Sequence, residues 1–314
     1  MDIPTFRPLC LHDGDTIGII APAGPVRRRD DFERGVEVLN RMGFRVRYDE
    51  RIFESRRYLA GDDARRAEEL MSYFEDPAVH AVMPLRGGYG CARLLPHLDE
   101  RRLRPNPKLL TGFSDITTLH LYFQRRFGWV TLYGPMAASP SLHEISEREQ
   151  AHLKALLTDP SYLPEIIFPQ MESFAPGTAE GRLTGGCLSV VVTSLGTPYE
   201  IQTEGAILFL EDLSESPYRL DRMISHLKLA GKLDRVAGIL LGSFIDCEPD
   251  DGTYTARDVL RDVLRDLEVP IIYNFPSGHG KENWALPFGT RVRMNADRQS
   301  LTSLEPMVAI GGRQ

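Results

Sequence analysis

The sequence predicts an α/β protein whose first half is a parallel sheet covered by helices. Three observations predict it. Short apolar runs have the length of buried strands, segments of helical period lie between them, and glycine or proline turns follow the runs. In 314 residues, 42% hydrophobic and 26% charged, there is enough apolar material to bury a core, which excludes intrinsic disorder. At roughly 100–200 residues per domain the length predicts two domains.

The elements justify this in order. Thr16–Ala21 is a buried strand ending in the turn Pro22-Ala23-Gly24-Pro25. Phe32, Val36, Leu39 and Met42 recur at helical spacing, and Gly43 stops that helix. Phe44–Tyr48 is a strand; Asp62 or Asp63 caps a helix with the apolar face Ala64, Ala67, Leu70, Met71 and Phe74. Ala81–Leu85 runs as a strand into Arg86-Gly87-Gly88-Tyr89-Gly90. Leu109–Gly112 ends at Phe113-Ser114-Asp115, and Ile116, Leu119 and Phe123 mark the next helix. A proline-rich connection with one helix, Glu147–Leu157, joins this half to the next. The second half holds Gly181–Gly186, a helix from Leu188, and a strand at Ala206–Leu210. An amphipathic helix with Leu220, Met223, Ile224 and Leu227 follows, then a strand at Ile239–Leu241 and a helix near Ala256–Leu267. The boundaries read as a first domain at 1–140, a connection at 141–177 and a second domain at 178–314.

Charge and cysteine usage exclude several functions. Basic residues number 37 and acidic residues 44, for a net charge of −7, so no global basic field draws in a nucleic acid. The four cysteines stand far apart, at Cys10, Cys91, Cys187 and Cys247, and signal neither a zinc cage nor a redox dithiol. The N-terminus lacks a basic segment followed by an apolar one, and no apolar run approaches the ~18 residues that span a bilayer. The expectation is a soluble, cytoplasmic protein with no membrane or nucleic-acid partner.

Chemistry could live in three places. Ser114 stands between a strand and a helix, where backbone N–H groups at a helix start favour a developing oxyanion. The pattern G-x-S-x-G is absent, because Ile116 fills its last position. Ser114 or Asp115 could equally cap the helix. Arg86–Gly90 is a glycine turn that a ligand can approach closely, although the third glycine of a dinucleotide fingerprint is missing. In the second half, Glu211 and Asp212 follow an apolar strand, and His279 sits between two glycines in a loop. A serine needs a base, and the base needs an acid that fixes its tautomer. The order Ser, Glu, His therefore permits a hydrolase.

These segments together resemble the LD-carboxypeptidase family of serine peptidases, which includes murein tetrapeptide carboxypeptidases and microcin C immunity peptidases. The strings are IGIIAPAGPV, PLRGGYGCARLL, LLTGFSDITTLH, LTGGCLSVVVTSLGTPYE, ILFLEDLSESPYRLDRMISHL and FPSGHGKENWALPFG. The resemblance runs from about Gly14 to Leu301. It implies an N-terminal Rossmann-like parallel-sheet domain and a smaller C-terminal mixed α/β domain. It places the nucleophile on Ser114, the acid on Glu211 and the base on His279, with the N–H groups of Gly88 and Asp115 as the oxyanion hole. One departure is Cys187, where the family usually has asparagine after two glycines. Arg86 is chemically suited to hold a substrate carboxylate.

The implied activity is release of the terminal D-alanine from murein tetrapeptides in cell-wall recycling, by a homodimer without cofactor or metal. The alternative within the family is a peptidyl-nucleotide amide hydrolase of the microcin C type. The alternative from another class is a non-catalytic anion- or nucleotide-binding protein built on the Rossmann-like half.

Overall fold

A computed structural model describes residues 4–249 and 252–311. The strands, in chain order, are β1 (Thr16–Ile20), β2 (Arg45–Arg47), β3 (Ala81–Pro84), β4 (Leu109–Gly112), β5 (Thr131–Tyr133), β6 (Glu165–Ile167) and β7 (Glu172–Ala175). They continue with β8 (Thr178–Cys187), β9 (Ala206–Leu213), β10 (Gly238–Ile245), β11 (Ile271–Tyr273), β12 (Leu286–Phe288), β13 (Arg291–Asn295) and β14 (Ser300–Ser303). They form two sheets, so the chain is an α/β protein as the sequence predicts. The six-stranded sheet has the order β12-β5-β4-β3-β1-β2, and the eight-stranded sheet β6-β14-β13-β8-β9-β10-β11-β7.

The chain divides into two compact units. The first comprises Met1–Tyr162, Trp284–Pro287 and Met307–Gln314; the second comprises Leu163–Asn283 and Phe288–Pro306. In the first, β2, β1, β3, β4 and β5 pair in parallel. Apolar strands are required here because helices cover both faces of such a sheet. Ile19, Ile20, Val82 and Leu110 are fully buried, each side chain contributing ~1.5–3 kcal/mol of transfer free energy. Late segments complete this core: Ala285, Met307 and Val308 are buried in it beside Ile19 and Leu39.

Local signals explain the helices. Asp62 caps the Asp63–Glu75 helix by accepting the Arg65 N–H, and Ser146 with Glu149 forms a capping box on the Glu147–Thr158 helix. Gly128, with φ 68°, ends the Thr117–Phe127 helix in the left-handed conformation that glycine adopts freely.

The second unit is mixed. Its centre, β8-β9-β10-β11, is parallel, and β13, β14, β6 and β7 pair antiparallel at the two sides. Two details differ from the sequence expectation. The proline-rich stretch is not all irregular, since it supplies both edge strands, β6 and β7. Edge strands can be short because one side needs no partner, and β6 (EII) and β7 (ESFA), each opening on a glutamate, are too short to show a strand period. β9 extends to Leu213, so Glu211 and Asp212 lie inside the strand rather than after it.

Candidate active site

In the first unit, β4 delivers Ser114 directly. Gly112 has φ 142° and Ser114 has φ 62°, an unusual value for a residue with a side chain. Such strain persists where surrounding contacts enforce it. One contact is His120, fully buried on the Thr117–Phe127 helix, whose Nε2 lies 2.8 Å from the Gly112 carbonyl oxygen and whose Nδ1 lies 2.8 Å from Thr131 Oγ1. A carbonyl only accepts, so Nε2 carries the hydrogen and Nδ1 accepts from the threonine. Burial lowers the His120 pKa to about 4, and the ring is a neutral brace behind the serine.

Neither Ser114 nor Asp115 caps its own helix. The Asp115 carboxylate instead accepts the Cys91 N–H at 2.8 Å, at the start of the next segment along the sheet edge. Burial raises the Asp115 pKa against the hydrogen bonds from Cys91 and the nearby Arg66 charge.

The glycine turn after β3 stands against the serine. A Cβ on Gly87 would lie 2.9 Å from Ser114 Cβ and 3.0 Å from its Oγ. Gly88 has φ 111°, and Gly24 donates its N–H to the Gly87 carbonyl at 3.1 Å. The turn therefore needs glycine for close approach as well as for its dihedral angles. The N–H groups of Gly88 and Asp115 donate to no acceptor among the described residues. Beside them, half-buried Arg86 donates to the Pro25 carbonyl at 2.9 Å and has no carboxylate partner among the described residues. Burial, with repulsion from Arg27, lowers its pKa. An unpaired, partly desolvated guanidinium suits an incoming carboxylate.

In the second unit, the alternation of β9 separates its two acids. Asp212 accepts from the Ser189 N–H at 2.7 Å and the Leu213 N–H at 2.8 Å, anchoring the start of the Leu188–Thr193 helix. Burial raises its pKa. Glu211, fully buried, uses one oxygen, Oε2, to accept both the His279 backbone N–H at 3.0 Å and the ring Nδ1 at 2.8 Å. A carboxylate oxygen facing Nδ1 accepts its hydrogen, so Nε2 is the basic nitrogen of the neutral ring. Burial pushes the His279 pKa down; the Glu211 charge and hydrogen bond, with Asp212, outweigh it and leave the pKa raised.

The glycines flanking His279 are explained by contact. At φ 110°, Gly278 admits no side chain, and a Cβ there would collide with the Glu211 carboxylate. A Cβ on Gly280 would lie 2.7 Å from Ser243 Oγ. Cys187 pairs in register with Glu211 across β8 and β9, and its Sγ lies 3.5 Å from Asp212 Oδ1. Burial, with the two carboxylates nearby, pushes its thiol pKa well up.

The structure thus groups Ser114, Asp115, Gly88 and Arg86 in the first unit and joins Glu211 to His279 in the second. The sequence reading passes over His120 and the Asp115 carboxylate contact. For His120 the only signal is its place one turn after Thr117 and Ile116 on the helix behind the serine.

Residues 17–134 match the LD-carboxypeptidase N-terminal domain, and residues 180–294 match the LD-carboxypeptidase C-terminal domain. A probable murein peptide carboxypeptidase of Bacillus subtilis is 35% identical over 293 residues, covering 92% of each chain. The chain belongs to the LD-carboxypeptidase family. A murein tetrapeptide carboxypeptidase of Pseudomonas aeruginosa is 34% identical, covering 94% of this chain and 96% of its own. A structure of MccF in complex with glutamyl sulfamoyl guanosine matches with a TM-score of 0.90 at 26% identity, covering 96% of this chain and 99% of that one. As a member of this family the protein is a serine-peptidase-type carboxypeptidase.

Proposed function

We propose that the protein hydrolyses the L,D-amide bond of murein tetrapeptides and releases the terminal D-alanine, with Ser114, Glu211 and His279 as nucleophile, acid and base. The observation that carries the reading is the single Glu211 oxygen that grips both the ring and the backbone of His279. That grip selects the tautomer with a basic Nε2, which is what a serine needs to lose its proton.

In this reading His279 takes the proton of Ser114 Oγ, which bonds to the amide carbonyl carbon. The N–H groups of Gly88 and Asp115 hold the oxyanion. His279 then gives the proton to the leaving amine, the carbon–nitrogen bond breaks, and water releases the acyl group by the same steps in reverse. Arg86 receives the substrate's terminal carboxylate. The activity serves cell-wall recycling in the cytoplasm, and the protein acts as a homodimer.

The relationship to MccF supports a second reading, a peptidyl-nucleotide amide as substrate. Trp129 is buried against Phe74, Phe123 and Phe127, and Trp284 is buried against His152, so both tryptophans are used in packing. A base-stacking platform would therefore have to come from another ring, and the murein reading makes no such demand.

The test is incubation with murein tetrapeptide, with the tripeptide as control, read by mass spectrometry. Loss of one alanine from the tetrapeptide alone is expected. Cleavage of an aminoacyl sulfamoyl nucleoside with the tetrapeptide left intact would establish the second reading instead. Binding of either compound without turnover would establish the non-catalytic one. Sedimentation of the purified chain tests the dimer.

A further inference from the structure

We propose that the side chain of Asp115 is a positioning residue that sets the spacing between the two oxyanion donors. The proposal rests on the serine-peptidase reading above. The two donors come from different strand ends: Gly88 follows β3 and Asp115 follows β4. The β3–β4 ladder registers only Ala81 with Leu109 and Val82 with Leu110. It stops before either donor is reached. Backbone pairing between these two strands therefore does not fix the distance between the two N–H groups, and an oxyanion hole tolerates little error in it.

The Asp115 carboxylate supplies a direct tie. Its backbone N–H is one donor, while its side chain crosses to the segment carrying the other. Oδ2 accepts the Cys91 N–H at 2.8 Å, and the Gly90 N–H also acts on the carboxylate. Gly90 and Cys91 immediately follow the Gly87–Tyr89 turn. One residue thus binds both arms of the hole, at a site where it is 5% exposed.

The buried carboxylate is offset in part by the Cys91 hydrogen bonds and by the nearby Arg66 charge. Arg66 is fully buried. It donates to the Gly90 carbonyl at 3.2 Å and to the Pro22 carbonyl, and pairs with Asp63 at 2.5 Å. Gly90 is thereby held through its carbonyl by Arg66, while its N–H faces Asp115. At φ 141°, a Cβ on Gly90 would come within 2.7 Å of the guanidinium, so the turn closes on the arginine only as glycine.

Asp115→Asn keeps the shape but replaces the charged acceptor of the Cys91 N–H by a neutral amide with only one acceptor oxygen. Turnover of murein tetrapeptide by the full chain is followed for wild type, Asp115→Asn and Ser114→Ala. The expected result for Asp115→Asn is a kcat lower by about 100-fold, as for an atomic displacement near one ångström, with KM changed less than about twofold. Thermal midpoints are measured alongside, and assays run well below them, so that a loss of folded protein is not read as lost catalysis. Should Asp115→Asn give no folded protein, Asp115→Ser, which still offers one acceptor, is measured the same way with the same expectation. A kcat near wild type in the folded variant overturns the positioning role, as does a loss carried by KM alone. If Ser114→Ala keeps its turnover, the serine reading itself falls. If Ser114→Ala is inactive while Asp115→Asn is normal, only the positioning role falls.

Discussion

Acidification should weaken the first unit through His120, and the size of the effect follows from its burial. The ring is fully buried, with both nitrogens hydrogen-bonded, and burial holds its pKa at about 4 against an ordinary 6.5. In the unfolded chain the ring takes up a proton below pH 6.5; in the folded unit it refuses one until about pH 4. The unfolded state thus binds more protons in this window, and stability is lost as pH falls through it. Between pH 7 and pH 5 the loss attributable to His120 is ~2 kcal/mol.

The comparison variant is His120→Gln, whose amide can still donate toward Gly112 but does not titrate. Both tryptophans, Trp129 and Trp284, belong to the first unit. Their fluorescence in urea therefore reports that unit alone. Other groups, including His152 with a pKa of about 4, titrate in both proteins and cancel in the difference. On lowering the pH, the wild-type midpoint should drop further than the variant's by about 1 M urea, taking ~2 kcal/mol per molar as the slope. Equal drops in the two proteins would refute the neutral-brace assignment.

Other expectations follow from the same geometry. On the proposed triad, Ser114→Ala should reduce kcat by roughly 10⁴-fold, measured by alanine release, since triad members act as a unit. With His279 as the proposed base, activity should fall on acidification with a midpoint above 6.5, because its raised pKa keeps the ring protonated to higher pH. Replacing Glu211 by glutamine removes the main raising influence, so the residual activity of Glu211→Gln should lose its acid limb at lower pH, read from a kcat/KM profile. Gly278→Ala should cost more than ~1 kcal/mol in thermal stability and most of the activity, because it combines a left-handed backbone with a collision at the Glu211 carboxylate. Gly87→Ala should lower kcat with little change in stability, as its Cβ presses on Ser114 rather than on the core.

What could be read from the sequence divides by the range of the interaction. β1, β3 and β4 show as apolar runs because a parallel strand must be apolar on both faces. Asp62 shows as a cap because its partner is three residues away. β9 reads short because Glu211 and Asp212 interrupt its apolar run, although ladder bonds to β10 continue through Leu213. The choice between those acids is invisible locally and is decided by His279, 68 residues on. Likewise Gly87 reads as a turn glycine, whereas its closest constraint is Ser114, brought there by the neighbouring strand. The Asp115 bond to Cys91 spans 24 residues and leaves no periodic trace.

The first unit is discontinuous: Trp284–Pro287 and Met307–Gln314 belong to it, and Ala285, Met307 and Val308 fill its core. During synthesis, therefore, the half bearing the serine is the last to be completed, although its strands are made first. It must wait, with part of its apolar interior open, until the chain has passed through the whole second unit. A nonsense mutation just before Met307 would leave every strand described above in place. Its damage would fall on the half encoded first.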